Sequence, residues 1–207
     1  HVRQRMGEQL AAEHPVDADM GIGVPDSGIP AALGYARAAK LPYEEGLIKN
    51  RYVGRTFINP DQVVRDLGVK IKLHPIKELI AGKRVIVVDD SIVRGTTSRK
   101  IVQLLRQAGA AQVHMRVSSP PIISPCFYGI DTASYDELIG ARKTPQAISD
   151  YLGADSLGYL SLDGMIKAIR LNDEQFCTAC LTNNYPIPVP SSMKREKNVY
   201  MADHIAL

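Results

Sequence analysis

Two adjacent carboxylates, Asp89 and Asp90, follow the branched apolar run Val85 to Val88 and precede Ser91-Ile92-Val93-Arg94-Gly95-Thr96-Thr97-Ser98. Side by side they repel, and the arrangement costs little only when a cation or a set of donors shares them. Ribose hydroxyls supply donors, and magnesium supplies charge. The residues that follow offer Gly95 for close backbone approach, the hydroxyls of Ser91, Thr96, Thr97 and Ser98, and the start of a helix whose free amides favour an anion. Carboxylates beside a phosphate cradle point to a sugar phosphate. The plainer alternative is a strand ending in a solvated acidic turn and a threonine helix cap.

Other phosphate-binding patterns fit less well. After Gly21 and Gly23 the next glycine is Gly28, two positions late for G-x-G-x-x-G, and no G-x-x-x-x-G-K-[ST] occurs. A response-regulator receiver also carries an acidic pair after a valine-rich strand, but that pair ends its first strand and no R-G-T-T-S turn follows. A second group with chemical potential is Cys126 with Cys177 and Cys180, the last two spaced C-x-x-C. By themselves they suit zinc, a redox pair, a cluster or plain burial about equally.

The acidic pair has to be positioned by a strand and a helix. Val85 to Val88 reads as a buried strand, and Thr97 to Ala108 as a helix with Ile101, Leu104 and Leu105 on one face and Gly109 as its stop. Upstream, Val2, Met6 and Leu10 recur at helical spacing, a strand is expected over Met20 to Val24, and a Pro-Asp-Ser-Gly turn leads into a helix over Ile29 to Ala39. A strand is expected in Glu44 to Asn50 and a loop over Arg51 to Gln62. Helical turns are expected around Asp61 to Leu67 and Pro75 to Ile80. Downstream come a strand near Val113 to Val117, a proline-rich bend, helices near Tyr135 to Gly140 and Pro145 to Leu152, and a strand near Gly158 to Leu162. Alternating strands and helices predict an α/β fold with a mostly parallel sheet flanked by helices. Ligands of such sheets sit outside the carboxyl ends of the strands, where Asp89 and Asp90 fall.

Residues 1–170 are expected to form this domain and 171–207 a C-terminal, cysteine-bearing appendage. At 207 residues the chain can bury one sizeable core. A net charge of only +3, spread along the sequence, and the lack of tryptophan speak against a nucleic-acid groove. No apolar run approaches the roughly eighteen residues of a membrane span, and no secretory signal is visible. The expected compartment is the cytosol, or an organelle if a targeting segment lies upstream. The first residue is not methionine and the first helix reads as already under way, so the chain is expected to be a piece of a longer polypeptide.

"VIVVDDSIVRGTTS" closely resembles the 5-phosphoribosyl-1-pyrophosphate (PRPP) signature of type I phosphoribosyltransferases. With "GVPDSG", "KNRYVGRTFI", "SPCFYGID" and "CTAC" in order, the chain is similar to the glutamine PRPP amidotransferase family from its first helix to about Pro190. The resemblance implies a type I phosphoribosyltransferase fold. It also implies transfer of ammonia to C1 of PRPP, giving phosphoribosylamine and pyrophosphate, as the first committed step of purine synthesis. Asp89 and Asp90 would hold the ribose hydroxyls and magnesium, while Ser91, Ile92, Val93, Arg94, Gly95, Thr96, Thr97 and Ser98 wrap the 5-phosphate. Asp26, Ser27 and Gly28 would form the pyrophosphate turn, with Ser27 a further magnesium ligand.

Asn50 to Ile58, including Arg51, Tyr52 and Arg55, would close over PRPP, with Lys49 as a further helper. Cys126, Cys177 and Cys180 match three ligands of a 4Fe-4S cluster whose fourth lies upstream of His1. Zinc stands as the alternative metal. The glutaminase half of the family has no counterpart in these residues, so the PRPP and ammonia half reaction is what this chain is expected to carry. Inhibitory purine nucleotides and a homo-oligomer are expected on the same ground. A salvage enzyme that places a nucleobase over C1, or a PRPP-binding regulator without catalysis, would share the signature.

Overall fold

The computed structural model describes residues 1–50, 73–130, 132, 134–170 and 176–190. Helix α1 (Val2–Glu13) leads to strand β1 (Met20–Gly23) and helix α2 (Ile29–Ala39). Short strands β2 (Leu47–Lys49) and β3 (Leu73–Pro75) pair antiparallel, with Lys49 opposite Leu73. The described residues on either side of 51–72 therefore lie next to each other. After α3 (Lys77–Ile80) come β4 (Arg84–Asp89), α4 (Thr96–Gln107) and β5 (Gln112–Val117). A 3-10 turn (Tyr135–Glu137), α5 (Ile139–Arg142), α6 (Pro145–Leu152), β6 (Ser156–Tyr159) and α7 (Leu162–Ile169) follow. The single turn α8 (Ala179–Thr182) carries Cys180.

Among the described residues, β1, β4, β5 and β6 form one sheet in the order β1-β4-β5-β6 with every pair parallel. Strand alternation explains why β4 is apolar from Val85 to Val88: successive side chains enter opposite faces, and both faces are covered. Val85 and Val87 join Ile101, Val102, Leu105, Ile148 and Leu152 on the side of α4 and α6. Ile86 and Val88 join Leu10, Ala31, Ala32, Tyr35 and Leu160 on the side of α1 and α2. The buried face of α4, Ser98, Ile101, Val102 and Leu105, follows the i, i+3, i+4, i+7 spacing of an amphipathic helix. Gly109 ends it at φ +94.

The expected mostly parallel sheet flanked by helices is the observed architecture. Two stretches differ from expectation: Pro75, placed in a helical turn, ends the strand Leu73–Pro75, and the strand placed near Gly158 to Leu162 is Ser156–Tyr159, with Leu162 already in α7. Ser161 turns the chain, its hydroxyl accepting from the Gly164 amide at 2.9 Å, while its own N–H and hydroxyl donate to Glu13 at 2.8 and 2.9 Å. A helix N-cap with a long-range partner on α1, two residues after the strand ends, thus starts α7. The loop and helical turns expected between Arg51 and Leu67 lie outside the described residues.

Candidate active site at the carboxyl edge of the sheet

The parallel register sets three strand ends side by side. Gly23 is opposite Val88, and Asp89 is opposite Val117. Beyond β1 the Val24 amide still donates to Val88 O at 2.9 Å, and beyond β5 the Ser118 amide donates to Asp89 O at 2.9 Å. The Pro25–Gly28 turn is thereby folded down beside the acidic pair, with the Gly28 amide closing onto Val24 O at 2.9 Å. A Cβ on Gly28 would lie 2.5 Å from Val88 O, so only glycine lets the turn approach β4 this closely. The Pro25–Asp26 peptide is cis.

Asp89 is 7% exposed, and its carboxylate accepts the Asp90 amide at 2.9 Å. Burial, reinforced by the negative charge of Asp90, pushes its pKa up to about 7. Asp90 is half-buried and lies within 3.4 Å of the Ser91 hydroxyl. Ile92 drops into the core, so its contribution to the turn is its backbone. Gly95 takes φ +77 and starts α4. A Cβ there would meet Ile139 Cδ1 at 2.9 Å and Tyr151 Cε1 at 3.2 Å, so both conformation and space call for glycine. Thr96 and Thr97 are exposed at the helix start, whereas Ser98 is buried. Free amides of the first helical turn, with its positive dipole end, face the same edge as the acidic pair.

On the other side of the turn, Lys49 pairs with Asp26, joining the end of β2 to the Pro25–Gly28 turn. Asn50, the next residue, is half-buried at the edge of the described chain, and Arg51, Tyr52 and Arg55 lie outside the described residues. The arrangement brings together Asp26 to Gly28, Lys49 and Asp89 to Ser98: a pair of carboxylates between two anion-compatible backbone turns. Chemically, it can hold a polyhydroxylated ligand with phosphates at both ends.

The cysteines form a separate patch. Cys180 O accepts the Ile123 and Ser124 amides at 2.9 and 3.1 Å, which seats α8 on the segment leading to Cys126. Tyr185 donates to Pro125 O at 2.7 Å, Tyr128 donates to Ile187 O at 2.6 Å, and the Tyr185 ring meets Phe127 and Tyr128 edge-on. Burial, followed by the nearby charges of Cys126 and Cys177, raises the Cys180 pKa. The Tyr128 amide donates to Cys126 Sγ at 3.4 Å. Among the described residues no three His, Cys, Asp or Glu side chains come together in the manner of a single-ion site.

Comparison with known proteins decides the family. Residues 8–119 match the phosphoribosyl transferase domain family. The chain belongs to that family. It is 59% identical to the amidophosphoribosyltransferase of Synechocystis sp. over 195 residues, 94% of this chain and 39% of that protein. With the amidophosphoribosyltransferase of Methanocaldococcus jannaschii it shares 57% identity over 188 residues, 91% of this chain and 40% of that protein. Among solved structures it is similar to the glutamine PRPP amidotransferase from B. subtilis complexed with ADP and GMP. That match has a TM-score of 0.83 and 52% identity over 92% of this chain and 43% of the other. The chain thus spans about two fifths of the length of the curated relatives it matches.

Several contacts of this phosphoribosyltransferase site were not legible as motifs. Arg3, at the start of α1, donates to Ser27 O at 3.3 Å across 24 residues. Arg94 donates to Glu137 at 2.8 Å, and the Ile139 amide donates to Val93 O at 2.9 Å. The only local signal for the latter group is the Ser134-x-x-Glu137 capping box, which announces a helical turn and says nothing of its partner.

Proposed function

We propose that this chain carries the PRPP half of the amidophosphoribosyltransferase reaction. Ammonia, released from glutamine elsewhere in the whole protein, attacks C1 of PRPP. The C1–O bond to pyrophosphate breaks, the new ammonium gives up a proton, and 5-phosphoribosylamine and pyrophosphate result. This is the first committed step of purine biosynthesis. The observation that carries the reading is the buried Asp89 beside Asp90, set between the Pro25–Gly28 turn and the free amides of α4. The similarity to amidophosphoribosyltransferases over most of the chain supports it.

In this reading Asp89 and Asp90 take the ribose hydroxyls, the backbone and hydroxyls of Ser91 to Ser98 hold the 5-phosphate, and Asp26 to Gly28 receive the pyrophosphate. Ammonia brings its own lone pair, so the site needs no obligatory general base. It needs positioning of C1 and donors where negative charge grows on the leaving group. Asn50, Arg51, Tyr52 and Arg55 would close over the ligand and exclude water. Two adjacent carboxylates, one of them buried, form a donor set that suits a divalent cation, and magnesium would be held by Asp89, Asp90 and Ser27. When bound, magnesium supplies charge neutralisation to the departing pyrophosphate. A purine nucleotide would compete through its own 5-phosphate at the same cradle, and the working unit would be a homo-oligomer of the complete chain in the cytosol or an organelle.

For the cysteine patch we propose a 4Fe-4S cluster, with zinc as the alternative. Zinc requires its thiolates within one tetrahedral shell, at about 2.3 Å from the ion. Cys180 feels the charges of Cys126 and Cys177, and the Tyr128 amide points at Cys126 Sγ. A four-iron cluster spreads its thiolates more widely and is tuned by such donors. Cys126, Cys177 and Cys180 would hold it, with the fourth ligand outside this chain, and its role would be structural because pyrophosphate displacement moves no electrons.

The test is pyrophosphate release from PRPP by the complete protein with magnesium, comparing ammonia, glutamine and a purine base. Release with ammonia that disappears in Asp89→Asn and Asp90→Asn supports the reading, and release that needs a base replaces it with salvage chemistry. PRPP binding without release would make the protein a sensor. Anaerobic purification that gave zinc and no broad iron-sulfur absorption would rule out the cluster.

A further inference from the structure

The phosphate turn is braced from behind by a segment that also holds the cysteine appendage. Asn183 follows α8 in the left-handed region at φ 61, its amide closing onto Ala179 O at 2.8 Å. Its side-chain oxygen accepts two hydroxyls, Ser124 at 2.9 Å and Tyr135 at 3.0 Å. Tyr135 opens the 3-10 turn that ends in Glu137, and Ser134 and Glu137 lock that turn by a reciprocal capping box. Glu137 accepts from Arg94 at 2.8 Å, and the guanidinium holds its carboxyl below the ordinary range. Two residues on, the Ile139 amide donates to Val93 O at 2.9 Å, and the Ile139 side chain occupies the space beside Gly95. Three consecutive residues of the turn, Val93, Arg94 and Gly95, are therefore met by Glu137 and Ile139.

We infer that Glu137 and Asn183 are positioning residues for PRPP, the two ends of a strap through which the seating of the cysteine appendage sets the shape of the phosphate turn. The inference rests on the reading of Ser91 to Ser98 as the 5-phosphate cradle. Arg94 and Glu137 have side chains 45% and 42% exposed, and an ion pair so open to solvent adds little to global stability. What it fixes is local: where the backbone of the turn sits before ligand arrives. Coupling of this kind shows as altered ligand affinity without altered chemistry.

The experiment compares the complete protein with Asn183→Ala, Glu137→Gln and Tyr135→Phe, the last removing a single hydroxyl. We expect KM for PRPP to rise about fivefold, the worth of one lost hydrogen bond, with kcat held within about twofold. Hydrogen–deuterium exchange should quicken at residues 92–99 while β5 keeps its protection. Wild-type exchange at residues 92–99 in both Asn183→Ala and Tyr135→Phe would overturn the strap, as would exchange that quickens equally in β5. If the wild type released no pyrophosphate with PRPP and ammonia, the functional reading would fail separately, and the exchange comparison would still decide the strap.

Discussion

The acidic edge and the cysteine appendage are held by different kinds of contact. At the acidic edge, backbone groups of three adjacent strand ends fix the geometry, through the bonds of Val24 to Val88 and Ser118 to Asp89, with the core directly beneath. Where the appendage meets the segment around Cys126, the Ile123 and Ser124 amides reach Cys180 O, and the remaining bonds are made by side-chain hydroxyls of Tyr128, Tyr185, Ser124 and Tyr135 to single acceptors. A site that must hold a destabilised carboxylate in place needs the rigidity of the first arrangement. The proposed cluster, if held by the cysteines, would add its own bonds to the second.

The largest effect that would break this comparison is expected at the carboxylates. Asp89→Asn should lower pyrophosphate release by about a hundredfold or more, the scale of removing one preorganised electrostatic group. The same substitution should raise the melting temperature at pH 8, since it removes a buried charge. If activity fell and stability fell with it, Asp89 would be a structural residue. Next in size is Gly28→Ala. Its Cβ would press on Val88 O, and a loss of about 1–3 kcal/mol in denaturant unfolding is expected. PRPP binding should weaken as well.

A third effect is a pH dependence carried by Asp89. Its pKa is about 7 in the folded chain against 3.8 for the free group, so between those values the folded state keeps a proton that the unfolded state has released. Stability should therefore fall as pH rises from about 4 to about 7, and Asp89→Asn should flatten that slope. Magnesium–PRPP affinity should move the other way, rising through pH 7 as Asp89 ionises. Titration calorimetry in two buffers of different ionisation enthalpy would show the proton released on binding.

The smallest effect sharpens the contrast on the appendage side. Tyr185→Phe removes the bond to Pro125 O and should cost about 1 kcal/mol. The cost should appear as faster amide exchange at residues 122–128, with β4 unchanged.

Much of the acidic site was legible because its residues are contiguous. Asp89 to Ser98 is one stretch, the strand before it is apolar on both faces, and the helix after it has a clean buried stripe. The Pro25–Gly28 turn was legible as a turn, but its place beside Asp89 depends on the parallel pairing of Gly23 with Val88. The helix Leu162–Ile169 was missed because β6 and Ser161 read as one apolar strand until the bond to Glu13 is known. Nothing in the sequence announced the partners of Arg3, Glu137 and Asn183, since each acts on a residue dozens of positions away.

By itself the sequence determined the alternation of strands and helices, the acidic pair at a strand end and the hydroxyl-rich helix start, because these are set by local periodicity and turn chemistry. Only the tertiary structure decided which strand ends meet, how deeply Asp89 is buried and which segments brace the phosphate turn. Those follow from parallel pairing and long-range hydrogen bonds, and no local pattern of residues encodes them.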